Sequence, residues 1–198
     1  MDDSNIGFLE IIYGPMKSGK TSRLLQLYKQ FKFCEIPVMV INNCKDNRYS
    51  DIYLSSHDKV MIPCIKADKL SDIVRLCEPL KDSPYLKEFN ESKVILINEA
   101  QFFEDIVEWV TLAVEKYNKK IYICGLNSDF RRKPFGNWLD LEQICDKITH
   151  LQSWCSVCKK QQALFSHRIS SETETIIIGS ENYIPLCRKC WLTLNVNV

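Results

Sequence analysis

The segment Gly14-Pro15-Met16-Lys17-Ser18-Gly19-Lys20-Thr21 fits the pattern G-x-x-x-x-G-K-[ST] at every fixed position, between a β-prone run at Phe8–Tyr13 and a helix-spaced run over 21–33. Strand, glycine loop and helix in that order leave few folds open, because the loop needs a buried strand to feed it and a helix N-terminus to meet its ligand. Within 21–33, Leu24, Leu25, Tyr28 and Phe31 recur at helical spacing. Residues 38–41 (VMVI), 94–97 (VILI) and 121–124 (IYIC) are short, unbroken apolar runs, as expected for strands of a parallel sheet buried on both faces. Between the last two, 105–117 sets Ile106, Val107, Val110 and Val114 on one helical face, giving a right-handed strand, helix, strand crossover. The expected class is therefore α/β, a parallel sheet flanked by helices. Segments 46–60 and 79–93, the second with Pro79 and Pro84, are polar and without period. Both are expected to be loops, and long loops in a compact fold often serve as lids.

The loop carries specific chemistry. Its glycines allow a tight turn, and successive backbone N–H groups of the loop over residues 14–21, Pro15 excepted, cradle phosphates at the helix N-terminus. Lys20 neutralises β and γ oxygens, and the Thr21 hydroxyl serves Mg²⁺. Further along, 94–97 ends in Asn98-Glu99. P-loop enzymes carry an acidic residue for the metal at the end of such a strand; here that position is Asn98. A carboxylate beside a transferred phosphate, such as Glu99, can accept a hydroxyl proton. Taken alone, Glu99 is equally readable as a strand-end surface charge.

Ten cysteines stand in a chain of 198 residues, and their spacing separates them into groups. Cys155-x-x-Cys158 and Cys187-x-x-Cys190 are two pairs whose gap lets neighbouring thiolates reach one tetrahedral Zn²⁺. Four sulfurs would close the site to water, making it structural, with two redox pairs as the alternative. Cys34, Cys44, Cys64, Cys77, Cys124 and Cys145 show no such pairing. The β-prone stretches 163–169 and 175–178 suggest a hairpin clamped at its base by the metal, so the chain divides into residues 1–150 and a small β module over 151–198. His57 lies in the first polar loop, and His150 and His167 have no local partner.

The 26 basic and 25 acidic side chains leave a net charge of +1, so nothing at the level of the whole chain announces a polyanion such as a nucleic acid as partner. No apolar run approaches the ~20 residues of a membrane span, and the first residues are acidic and polar where a secretory signal is basic then apolar. A cytoplasmic, reducing location is expected, without membrane contact.

Five blocks of this sequence, the motif itself among them, belong together. Gly14-Pro15-Met16-x-Ser18-Gly19-Lys20-Thr21, Lys45-Asp46-x-Arg48-Tyr49-Ser50, His57-Asp58, Glu99-Ala100-Gln101-Phe102-Phe103 and Phe130-x-Arg132-Lys133-Pro134-Phe135-Gly136 occur in that order, followed by the cysteine pairs and Tyr183. Over roughly residues 8 to 191 the chain resembles thymidine kinases of the type found in animals, many bacteria and poxviruses. The resemblance implies a RecA-like P-loop domain followed by a zinc-binding module carrying a lasso loop. The implied reaction is ATP-dependent phosphorylation of the 5′-hydroxyl of deoxythymidine, and of deoxyuridine, in nucleotide salvage. It implies Glu99 as general base, Arg48 as a group steadying the transferring phosphoryl, and Thr21 and Asn98 at the magnesium. Met16, Leu126, Phe102, Phe130, Phe135 and Tyr183 would line the nucleoside pocket, with Asp46 and Gln101 as candidates for the sugar hydroxyls. Residues 166–183, from Ser166 to Tyr183, would form the lasso over the thymine. A homotetramer with feedback inhibition by dTTP is implied as well. Two positions depart from the family pattern: its magnesium-associated aspartate is Asn98, and its Gly-Gly before the lasso tyrosine is Gly179-Ser180, with a residue missing before Tyr183. A nucleic-acid-driven ATPase and a nucleotide-holding regulator without turnover are the competing possibilities.

Overall fold

The computed structural model describes residues 6–46, 52–55, 60–76, 83–170, 174, 179 and 182–195. Its centre is a six-stranded sheet built from β1 (Phe8–Tyr13), β2 (Val38–Asn43), β5 (Ile65–Ala67), β6 (Val94–Asn98), β7 (Lys120–Gly125) and β8 (Lys147–His150), in the order β5-β2-β6-β7-β1-β8. Every pairing in it is parallel. The apolar strands lie where the sequence suggested because both of their faces are covered. Along β6, Ile95 and Ile97 enter one buried cluster while Val94 and Leu96 enter the other.

Helix α1 (Lys20–Phe33) covers one face, burying Leu24, Leu25 and Leu27, with Tyr28 and Phe31 packed at its margin. The hairpin of β3 (Tyr53–Ser55) and β4 (Met61–Pro63) joins it there through Leu54 and Ile62. The opposite face is covered by α2 (Leu70–Ile73), α3 (Leu86–Glu91) and α4 (Ile106–Glu115), with Phe89 and Trp109 meeting edge to face, ring centroids 5.9 Å apart. Burying one such aromatic or aliphatic side chain stabilises the fold by about 1.5–3 kcal/mol. The loops expected over 46–60 and 79–93 thus contain short regular pieces, β3 in the first and α3 in the second.

From Ser153 the chain forms two small antiparallel ribbons: β9 (Ser153–Trp154) with β10 (Gln162–Ala163), and β11 (Phe165–Arg168) with β12 (Tyr183–Leu186). Helix α5 (Arg188–Leu194) follows. The strand expected at 163–169 is therefore present, and its partner is β12. Residues 175–178, the partner expected from sequence, lie outside the described residues, as do Arg48, His57 and Cys77.

Candidate active site

β1 ends at Tyr13, and the loop after it turns back under α1 through Lys17 and Gly19, both with positive φ, at 60° and 84°. Gly14 has no room for a side chain, since a Cβ there would stand 2.3 Å from the Leu151 carbonyl oxygen. The Lys20 ammonium lies along the loop, donating to the carbonyls of Gly14 at 2.9 Å and Pro15 at 2.8 Å. Residues 16–22 line a pocket whose remaining wall is Glu99 and Leu126. Three site residues expected from distant parts of the chain, Met16, Glu99 and Leu126, thus line one cavity. Phe102, Phe130, Phe135 and Tyr183 are not part of that wall.

Glu99 follows β6 in a left-handed conformation, φ 56° and ψ 45°. For a residue with a side chain this costs on the order of 1 kcal/mol or more, and such strain gathers at functional sites. Its carboxylate is held by the Gln101 amide, which donates to Oε2 at 2.6 Å. Gln101 is itself fixed, because its Oε1 accepts from the Leu126 N–H at 2.9 Å. A backbone N–H can only donate, so the Gln101 oxygen must face Leu126 and its nitrogen must face Glu99. Gly125 keeps this space open, since a Cβ there would be 2.5 Å from Gln101 Oε1. Leu126 is anchored in turn by the fully buried Trp138, whose indole N–H donates to its carbonyl at 3.1 Å.

On the side where a metal is expected from the sequence, the Thr21 hydroxyl stands 3.5 Å from Asn98 Oδ1. Asp46 is buried and accepts from the Asn42 amide at 3.1 Å. Of the aromatic candidates, Phe102 and Phe135 pair edge to face at 5.4 Å. Phe130 sits apart from them, under the Arg168 guanidinium at 3.8 Å, and Arg168 also donates to the Tyr183 hydroxyl at 2.5 Å. The segment carrying Phe130 is shaped by Asp129, whose carboxylate accepts from the N–H groups of Arg131 and Lys133. Ser166, on β11, accepts from the Met16 N–H at 2.9 Å and so ties the C-terminal ribbons to the phosphate loop. Of the predicted lasso, residues 171–173, 175–178, 180 and 181 lie outside the described residues.

Asn42 and Arg168 escaped the sequence pattern. A signal for Asn42 existed: two neighbouring parallel strands, β2 and β6, both end in buried amides, Asn42 opposite Asn98. Arg168 left none, since Tyr183 reaches it only through the β11–β12 pairing and Phe130 comes from the distant segment after β7.

Cys155, Cys158, Cys187 and Cys190 converge, their sulfurs all within 4.8 Å of one another, a set that could hold one metal ion. Cys155 and Cys187 are buried with Leu186, and Trp191 packs beside them. Burial opposes ionisation of Cys155, yet backbone N–H groups of Cys187, Cys158 and Val157 outweigh it and hold the thiol at about 6. Burial and the neighbouring sulfurs push Cys190 up to about 12. Four sulfurs this close cannot all ionise without a cation among them, and a soft tetrahedral thiolate set suits Zn²⁺.

Comparison with known proteins agrees over nearly the full length. The family model described as thymidine kinase matches residues 7–191. The thymidine kinase of Variola virus is 34% identical over 189 residues, 95% of this chain and 98% of the relative. That of Vaccinia virus strain Western Reserve matches to the same extent. Thymidine kinase a of Arabidopsis thaliana is 34% identical over 191 residues, 96% of this chain and 77% of the relative. Among the described residues no helix is long and apolar enough to cross a membrane.

Proposed function

This chain belongs to the thymidine kinase family, and we propose that it transfers the γ-phosphoryl group of ATP to the 5′-hydroxyl of deoxythymidine. The observation that carries the reading is that residues 16–22 of the glycine loop and Glu99 line the same pocket. A phosphoryl donor and a carboxylate able to receive a hydroxyl proton therefore meet across one cavity.

Backbone N–H groups of the loop over residues 14–21, where Pro15 has none and that of Met16 is given to Ser166, hold the triphosphate together with the N-terminus of α1, and Lys20 leaves the loop carbonyls to neutralise its outer oxygens. Thr21 and Asn98 offer hard, uncharged oxygens on the same side, a donor set that fits Mg²⁺ carried with ATP. When bound, the magnesium neutralises charge on the phosphate oxygens. Glu99, steadied by Gln101, takes the proton of the 5′-hydroxyl. The freed oxygen forms a bond to the γ-phosphorus as the bond to the ADP oxygen breaks, leaving dTMP and ADP. Arg48, outside the described residues, is assigned the transferring phosphoryl group. Met16, Leu126, Phe102, Phe130, Phe135 and Tyr183 are assigned the nucleoside, with the 166–183 segment over the base, Asp46 and Gln101 near the sugar, and deoxyuridine as a second substrate. The four-cysteine zinc is assigned a structural role. A cytoplasmic homotetramer inhibited by dTTP and serving nucleotide salvage completes the proposal.

A panel of thymidine, deoxyuridine, deoxycytidine and deoxyguanosine, each offered with labelled ATP and Mg²⁺, tests it. Thymidine is expected to give labelled monophosphate fastest and deoxyuridine next. Preferential labelling of deoxycytidine or deoxyguanosine would overturn the assignment of the base site.

A further inference from the structure

Behind the Thr21 hydroxyl a row of polar side chains runs into the protein. Asn42 and Asn98 are opposite each other in the register of β2 against β6, and each is only 1% exposed. The Asp46 carboxylate accepts from Asn42 Nδ2 at 3.1 Å. Asn42 Oδ1 accepts from Asn98 Nδ2 at 3.0 Å. Asn98 Oδ1 then stands on the far side, where Thr21 donates at 3.5 Å and the Cys124 thiol at 3.1 Å.

The direction of this row is not arbitrary. A side-chain amide has a donor end and an acceptor end of nearly equal size, so packing alone does not choose between its two orientations. A carboxylate only accepts. Asp46 therefore draws the NH₂ of Asn42, which leaves the Asn42 oxygen for the NH₂ of Asn98, which leaves the Asn98 oxygen for the Thr21 side. Reversing any member would set acceptor against acceptor in a space closed to water, where an unmade hydrogen bond costs about 1–3 kcal/mol.

We propose that Asn42 is a positioning residue for the metal-associated end of the phosphate site: it passes the acceptor polarity of Asp46 to Asn98 and keeps the Asn98 oxygen turned toward Thr21. The inference rests on the reading of Thr21 and Asn98 as magnesium-associated. With an aspartate at position 98 either oxygen would serve. With asparagine the wrong end carries two N–H donors, which repel a dication, so the orientation has to be held from behind.

Two variants separate this role from plain core satisfaction. Asn42→Leu keeps similar bulk but removes the acceptor facing Asn98, whereas Asn42→Asp keeps an acceptor facing Asn98 and sets two carboxyl groups together at Asp46. The half-saturating Mg²⁺ concentration for thymidine phosphorylation is expected to rise roughly 10-fold or more in Asn42→Leu, the range seen when partners behind metal ligands are removed, and to stay within about twofold in Asn42→Asp. Thermal stability is expected in the opposite order, Asn42→Asp losing more. Mn²⁺ titration of the ATP-bound protein, read by electron paramagnetic resonance without turnover, should rank the variants as the Mg²⁺ requirement does. If the leucine variant does not fold, Asn42→Ser, one bond shorter and unable to span to Asn98, is expected to show the same rise. Equal shifts in Asn42→Leu and Asn42→Asp, or no shift in either, would overturn the role of Asn42 while a wild-type protein that phosphorylates thymidine leaves the kinase reading standing. A wild-type protein with no Mg²⁺-dependent phosphorylation would overturn the kinase reading instead.

Discussion

Gln101→Leu removes an amide that does two things at once. It ends a charge-assisted bond to Glu99 at 2.6 Å, and it strips the acceptor from the Leu126 N–H, 2.9 Å away. A hydrogen bond to a charged group contributes about 1.5–3 kcal/mol, and a buried donor left unmade costs about 1–3 kcal/mol. Leucine is close in volume, so no large cavity offsets or adds to these terms. Urea denaturation should therefore show a loss of roughly 2–4 kcal/mol, less than the simple sum because Glu99 is half-buried and regains water. In catalysis, the Glu99 carboxylate would sample positions away from the nucleoside hydroxyl. Misplacement of a reacting group by about 1 Å costs up to 10²-fold, so kcat should fall roughly 10- to 100-fold with ATP affinity retained. Steady-state kinetics across thymidine concentrations decide the matter. A raised KM for thymidine with unchanged kcat would refute the positioning argument and leave Gln101 with the sugar hydroxyls alone, the role that the family resemblance implied for it.

Other substitutions probe the remaining parts of the site. Glu99→Gln keeps shape and removes the basic carboxylate, so turnover should fall by roughly 10²- to 10⁴-fold, with nucleotide binding retained in equilibrium titrations. Asn98→Asp adds a charge for the metal but sets a carboxylate oxygen against Asn42 Oδ1, now 3.0 Å from the amide nitrogen; the half-saturating Mg²⁺ concentration should fall, and the melting temperature should fall with it. Stripping metal with a strong chelator, or Cys187→Ala, should loosen β11 and β12 and weaken thymidine binding more than ATP binding, as read by isothermal titration of each ligand. Elemental analysis of the untreated protein should find about one zinc per chain, the stoichiometry that four sulfurs in one tetrahedral site allow.

Much of this architecture was legible in the sequence because the informative strands are buried on both faces. β2, β6 and β7 leave continuous apolar runs, and the glycine loop fixes what lies between β1 and α1. β8 left no such run, because Lys147, Ile148 and His150 are exposed along the edge of the sheet and carry no burial pattern to read. α3 hid within a polar stretch because only Phe89 of its six residues is buried. The cysteine pairs were readable from spacing alone, and their four sulfurs do converge. What spacing could not give was the direction of the amides. Asp46, Asn98 and Gln101 stood out in the sequence one by one and Asn42 not at all, but how the four are oriented comes from the cross-strand register and from which neighbour can only donate or only accept.

Phosphorus NMR of a mixture of the protein, thymidine, ATP and Mg²⁺ tests the central claim most directly, because it identifies where the γ-phosphorus goes. Loss of the ATP γ resonance should be matched by growth of a phosphomonoester resonance coupled to the 5′ protons of thymidine, with ADP in equal amount. Inorganic phosphate in place of the monoester would make the protein an ATPase, and an unchanged spectrum from protein that binds both ligands would make it a nucleotide-holding regulator; either would contradict the kinase account.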